Sequence, residues 1–425
     1  MTVTGGLWPG IWPAEDAGPE RLGAPRWPGG LGLTEGSTLS STSREVVMGT
    51  MVVLRDEGEV FLLRHTPPPD AVSFVERIDP ITLEPIARSV DLPGGPMWPG
   101  GMAAHADGSL HVIFGNHAHR LSAELEIEAS VELPRPVPYN SFVTLPGGQL
   151  VTKDFAGPWP GQDSDAIPNA ELLVLDPVDL RILTSLELSE PSVARLSAIG
   201  NEIVVVGVES LISVDFDSVD FDSEVLTQRG PGVRYRDAEG QGCGWDAVLD
   251  GNLAFFLDDG DGSDAYDGSF RDRGTATAPL RLHRVDRLTG TRTSVEICGL
   301  PGGLITNPPA LDPMRRIAVG YDSGNGVVTA VHADTLERLW SIELDHACHP
   351  LVLPATGELV MADFDRAVGV EHVVVLDLAT GAEKGRAATE SLVQSPVFPS
   401  IGFDRDLYWV SFMTVSRIAA HGPMA

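Results

Sequence analysis

The sequence predicts an all-β chain closed into one ring of four-stranded antiparallel blades, a β-propeller, with eight blades as the first count and seven as the alternative. Three observations carry this. Short runs of Val, Ile and Leu are broken by Asp-Gly, Gly-Gly and Asp-Pro, which is the grammar of antiparallel strands and tight turns. One two-hairpin unit recurs from about residue 41 onward. No segment of sufficient length shows helical periodicity.

The first hairpin of the unit is visible in "VTLPGGQLVTKDF", "AVLDGNLAFFLDD", "PALDPMRRIAVGYDS" and "LVLPATGELVMADF". The second is visible in "FVERIDPITLEPIARSVDL", "LLVLDPVDLRILTSLEL", "VVTAVHADTLERLWSIEL" and "HVVVLDLATGAEKGRAA". Innermost strands are expected to start near Thr50, Gly101, Asn140, Ser192, Trp245, Asn307, His349 and Ser395. The last unit supplies only three strands, so a strand near Arg44 to Val47 is expected to complete it and close the ring over residues 41–421. Closure removes the exposed edges that an open array would leave. Residues 1–40 stand apart as an irregular arm, with Trp8, Trp12 and Trp27 each followed by Pro; the tryptophans are expected to pack on the body.

Composition sets bounds on function. The 425 residues carry 43% hydrophobic side chains, enough for a large core, with 46 Gly and 33 Pro as punctuation. Sixty acids against 29 bases give a net charge of -31, which disfavours nucleic acid and anionic membrane as partners. Cys243, Cys298 and Cys348 are too far apart to form a disulfide framework or a zinc knuckle. The first ten residues lack a basic segment followed by an apolar one, and apolar runs are strand-sized, so a cytoplasmic location is expected.

The turns within hairpins are uniformly tight and share one face of the ring. The other face receives "HTPPPDA" from His65, the connections at 156–170 and 259–279, and "DRAVGVE" from Asp365, together with the start of every innermost strand. A loop-rich face on a rigid scaffold is where binding and catalysis sit, so a small-molecule substrate or a protein partner is expected there.

Segments such as "YNSFVTLPGGQLVTKDF" and "TNPPALDPMRRIAVGYDS" resemble blades of the gluconolactonase/strictosidine-synthase-like propellers. "VVVLDLATGAEKGR" and "LERLWSIEL" resemble blades of the pyrroloquinoline-quinone-type (quinoprotein-like) repeat. The first resemblance implies a divalent metal in the channel, calcium by preference, held by Asn140, Asp246 and Asn307 as oxygen ligands. His349 then stands as the general base of a metal-assisted hydrolysis or lactone opening, with Trp98, Tyr139, Trp245, Lys153 and Ser395 as binding residues. The second resemblance implies an oxidoreductase using a quinone or a His-bound metal. A binding or scaffold propeller without chemistry is the remaining reading.

Other candidates have plainer roles. Asp154, Asp258, Asp322 and Asp363 recur at the ends of second strands and are expected to accept backbone N–H bonds from the following loop. His65, His117, His346, His349 and His372 share the loop-rich face, but only His349 is placed by register beside the channel. The run "DDGDGSDAYDG" at 258–268 lacks the closing glutamate of a calcium loop, since Phe270 stands in the twelfth position from Asp259.

Overall fold

A computed structural model describes the chain except residues 1–5, 68–70, 97–99, 156, 158–166, 221–222, 260–267, 306 and 424–425, and the side chains of 140, 219, 220 and 223. Eight antiparallel sheets, each built on four consecutive neighbours, form a propeller, and a single 3-10 turn at Glu15–Ala17 is the one helical element among the described residues. No helix is long and apolar enough to cross a membrane. The innermost strands are Gly49–Leu54, Gly101–Ala104, Tyr139–Thr144, Leu196–Ile199, Val248–Asp250, Ala310–Asp312, Leu351–Leu353 and Ser400–Ile401. From the fourth blade on they begin two to five residues later than the sequence suggests. Ser192, Trp245, Asn307, His349 and Ser395 therefore lie in the segments entering the strands, not within them.

The ring closes with a strand from the N-terminal side, as expected, but that strand is Thr38–Glu45. It pairs with Thr414–His421 in unbroken antiparallel register, Thr38 opposite His421 and Glu45 opposite Thr414. The expected irregular connection "DRAVGVE" is instead a tight reversal, because Glu358–Asp365 and Val370–Asp377 are paired along their whole lengths.

The outer hairpins repeat one local solution. An aspartate opens the turn, and its carboxylate accepts the next free amides: Asp79 from Ile81 and Thr82, at 2.9 and 2.7 Å, and Asp176 from Val178 at 2.8 Å. A leucine closes it at positive φ, Leu83 at 64° and Leu180 at 62°, and in the sixth blade His332 takes the aspartate's place before Leu336 at 60°. A left-handed Leu costs about 1–2 kcal/mol. Its side chain is buried in each case, and such burial contributes about 1.5–3 kcal/mol, so the turn is sustained by packing.

The arm does more than pack its tryptophans. Residues 7–33 cross the tight-turn face and enter the axis. There the innermost strands present unpaired edge amides, and the arm's carbonyls accept them: Trp12 from Leu54 at 2.8 Å, Pro13 from Ala104 at 2.7 Å, Pro19 from Ala198 at 2.8 Å, Glu20 from Leu249 at 2.9 Å and Gly23 from Val352 at 2.7 Å. Five blades are thereby tied to one segment. Trp12 is fully buried in the core of the first blades, whereas Trp27 is half exposed against Phe403.

A chain lacking residues 1–46 should lose both the plug and the closing strand, leaving the edge of Thr414–His421 open to other copies. Light scattering is expected to show self-association; a monodisperse monomer with unchanged far-ultraviolet dichroism would overturn the closure argument.

Candidate functional site

The arm delivers charge to the axis. Arg21, buried, donates to Glu15 at 2.7 Å, to Asp16 at 3.1 Å, to Ser141 at 2.7 Å and to the Leu196 carbonyl at 2.7 Å. Arg195 Nε lies 3.0 Å from Glu15. Although burial disfavours its charge, the carboxylates of Glu15, Asp246 and Asp16 hold Arg21 firmly protonated. Buried charges persist only when paired in this way.

His349 belongs to this network. Its Nδ1 is 2.7 Å from Asp16 Oδ1, its ring lies 4.1 Å from that of Phe398, and it is fully buried. The guanidinium of Arg195 sits over the same Phe398 ring at 4.5 Å. Burial would raise the Asp16 pKa, but the combined pull of His349 and Arg21 sets it below the usual carboxylate value. Asp16 and Ala17 both have positive φ, 52° and 68°, a strained pair that persists because its surroundings fix it. The Nε2 of His349 has no hydrogen-bond partner among the described residues.

The expectation of a solvated channel mouth is corrected here: His349, Asp246, Asn307, Lys153, Tyr139 and Ser395 are all buried, and Trp245 is 5% exposed. Asp246 Oδ1 accepts the Arg195 backbone N–H at 2.5 Å, and Oδ2 stands 3.8 Å from the Arg195 guanidinium. Asn307 spends its amide group on the Ala347 carbonyl at 2.5 Å. Asn140 lies in an innermost strand, with its side chain outside the described residues, as is Trp98 entirely. A divalent cation at Asp246 would stand among Arg195, Arg21 and Lys153, whose fields already act on this carboxylate. The donor set does not fit calcium, and among the described residues no three His, Cys, Asp or Glu side chains are grouped to hold a metal.

The binding candidates divide. Tyr139 is a core residue whose phenol accepts from the Arg135 amide at 3.3 Å, and burial raises its pKa. Ser395 is a strand-entry cap. Its hydroxyl donates to Val410 O, as Ser192 does to Val206 O at 2.7 Å in the fourth blade. Lys153 and Trp245 remain near the axis. Lys153 Nζ donates to the carbonyls of Ser192 at 2.9 Å and Asp154 at 3.1 Å, and burial pushes its pKa down to about 8 against the attraction of Asp154 and Asp246. Phe155 links the two, its ring 5.8 Å from the ammonium and 6.1 Å from Trp245. The Trp245 indole N–H has no partner among the described residues.

Three of the recurring aspartates accept an amide that follows them in the chain, and Asp363 accepts one that precedes it. Asp154 accepts the Glu171 amide at 2.8 Å, Asp258 the Arg281 amide at 2.6 Å, Asp322 the Asn325 amide at 3.0 Å and Asp363 the Asp345 amide at 3.1 Å. The histidines are dispersed. His65 donates from Nδ1 to its neighbour's carbonyl, Thr66 O, His117 stacks on His119, and His372 sits in a third strand opposite Asp363. His346, near His349, accepts the Ala362 N–H and is kept neutral by burial, its pKa pushed down to about 3. Of the connection at 259–279, the described part does share the face of Asn307: Phe270 packs with Leu304 and Ala347, and Ile305 N approaches Asp259 O. Most of 156–170 and of 258–268 lies outside the described residues.

Sequence reasoning missed Glu15, Asp16, Arg21, Arg195 and Glu371. Three charges inside a Trp/Pro/Gly-rich arm were the available signal for the first three. Glu371, fully buried between the seventh and eighth blades, accepts from Ser395 N at 2.7 Å and Trp409 Nε1 at 3.2 Å, with burial pushing its pKa up to about 8.

No protein-family model matches the chain, and no curated protein does. Among solved structures it is similar to quinohemoprotein alcohol dehydrogenase from Comamonas testosteroni (TM-score 0.64, 12% identity, 97% of this chain and 81% of that one). It is similar also to a europium-containing methanol dehydrogenase (0.61, 10%, 94% and 89%) and to BamB from Moraxella catarrhalis (0.57, 13%, 90% and 98%). At such identities the likeness is one of fold, an eight-bladed propeller, and the gluconolactonase-like resemblance finds no support in it.

Two outcomes follow from the electrostatics. Neither calcium nor a chelator should move the thermal midpoint by more than about 1 °C, since a ligand of the folded state stabilises it by mass action; a larger rise with calcium would restore the metal reading. Glu371 keeps its proton in the folded state between its ordinary value of 4.5 and about 8 while the unfolded chain loses it. Stability should therefore fall as pH rises through that window, and Glu371→Gln should flatten the fall in urea titrations.

Proposed function

We propose that the protein is an enzyme that binds a small polar substrate on the axis beneath the loop-rich face, with His349 removing a hydroxyl proton. The observation that carries this is the division of labour on one imidazole: Nδ1 is held by Asp16 at 2.7 Å, and buried Nε2 has no partner among the described residues. A neutral ring that donates from Nδ1 to a carboxylate presents the Nε2 lone pair, which is the geometry of an oriented general base. Asp16 also stabilises the imidazolium that forms, while Arg21 keeps Asp16 ionised. Arg195, fixed on Phe398 beside His349, offers positive charge to an oxyanion developing there.

Oxidation of an alcohol is favoured over hydrolysis by one feature of this axis. Lys153 and the unpartnered Trp245 N–H, joined through Phe155, are donors beside aromatic surface, and they fit a planar, acceptor-rich quinone. Such a group, when bound, accepts the two electrons of the substrate. Lys153 and Trp245 would hold it, and His349 would take the proton. The quinohemoprotein alcohol dehydrogenase named above shares the propeller, which is why a quinone is the first cofactor to try.

The test is dye reduction by a panel of primary alcohols with and without added pyrroloquinoline quinone, beside hydrolysis of a lactone panel. His349→Gln should lower the rate by about 10²–10⁴-fold, the usual contribution of a general base, and Asp16→Asn should lower kcat more than it raises KM. Turnover by neither panel, or activity untouched in His349→Gln, would reject the reading in favour of a non-catalytic binding propeller.

A further inference from the structure

Lysine is scarce in this chain. Two of its 29 basic side chains are lysines, Lys153 and Lys384, and the rest are arginines. Lys384 is partly exposed and forms an ion pair with Glu358 at 2.8 Å. Lys153 is fully buried in the second strand of the third blade and forms no ion pair among the described residues. The carboxylates whose charge reaches it, Asp154 and Asp246, are committed elsewhere. Asp154 is bound to Arg135 at 2.6 Å and to the Glu171 amide at 2.8 Å, and Asp246 to the Arg195 amide at 2.5 Å.

The hydrogen bonds of Nζ fit an amine better than an ammonium. It donates to two backbone carbonyls, Ser192 O at 2.9 Å and Asp154 O at 3.1 Å. An ammonium has a third hydrogen, which finds no acceptor among the described residues, whereas a neutral amine spends both hydrogens on these carbonyls and keeps a lone pair. A buried charge without an ion pair is also costly. Arginine cannot escape that cost by losing its proton, and lysine can. The one buried lysine of an arginine-rich chain thus stands where a free amine is favoured, and burial pushes its pKa down in the same sense.

Aromatic surface adjoins the amine. The Phe155 ring is 5.8 Å from Nζ and meets Trp245 at 6.1 Å, whose indole N–H has no partner among the described residues. A desolvated amine beside apolar rings is the usual setting of a nucleophilic lysine. We propose that Lys153 captures small aliphatic aldehydes as an imine. The nitrogen lone pair attacks the carbonyl carbon, and the carbonyl oxygen takes both nitrogen protons and leaves as water, so no oxidant or reductant is consumed. The aldehyde's alkyl group then lies along Phe155. This goes beyond the alcohol oxidation above, which asks Lys153 only for a hydrogen-bond donor, and does not depend on it.

Reductive trapping tests it. The full chain is incubated with propanal and cyanoborohydride near pH 8, and peptide mapping by mass spectrometry follows propylation of each amine. An ordinary lysine is about 99% protonated at that pH, so Lys153 should be labelled at least about tenfold faster than Lys384. In urea the two should react alike, and Lys153→Arg should remove the fast phase in the folded chain. Lys384 labelled as fast as Lys153, or Lys153 unlabelled after the α-amine has reacted fully, would overturn the proposal. So would a preference for Lys153 that persists in urea, which would trace the reactivity to local sequence and not to the buried amine.

Discussion

The structure depends on the threading of residues 7–33 through the axis. Eight radial blades leave their innermost strands with edge amides facing a common channel, and unpaired amides away from water are costly. The arm answers five blades with carbonyls from one short segment. It then places Glu15, Asp16 and Arg21 where they must pair with one another and with Arg195 and His349. Removing one member of such a buried pair typically costs about 3–5 kcal/mol, because the other charge is left uncompensated. Ring closure and channel filling are thus one constraint, since the chain that leaves the axis becomes the strand completing the eighth blade.

A consequence is polarity of the whole ring. The arm crosses the tight-turn face, and the strand entries lie on the other. Repeated devices keep those entries fixed. Serines at 192 and 395 bond the ends of second strands, and aspartates at 154, 258 and 322 hold amides of the following loops or strands. Near the axis, His349 and Trp245 each keep one ring nitrogen without a partner among the described residues.

The fold was legible because its signals are local. A turn opened by a side chain that accepts the next amides, closed by a leucine or a glycine at positive φ, and two flanking runs of Val, Ile and Leu lie within about twenty residues, and several blades repeat them. The site was legible only in part, because its partners are not local. His349 and Asp16 are 333 positions apart, and Arg21 and Ser141 are 120 apart. The arm has no period to betray its path, so its route into the channel could not be read from register. Asp246 illustrates the difference. Its type suits a metal ligand, and its neighbours, above all Arg195, assign it to an ion pair. Ser395 lies where a channel lining should begin, yet a later strand start turns it into a cap, while Tyr139, at the first position of its strand, is buried in the core.

The charge balance of the axis disfavours an added cation. Glu15, Asp16 and Asp246 stand against Arg21, Arg195 and Lys153, so the cluster is neutral when Lys153 is protonated. Adding a divalent ion would unbalance it by two charges in a medium where desolvation is expensive. Moving a proton onto His349 adds one charge, directly against a carboxylate already held in place. Lys153, with its pKa pushed down to about 8, is the group best able to adjust to that change.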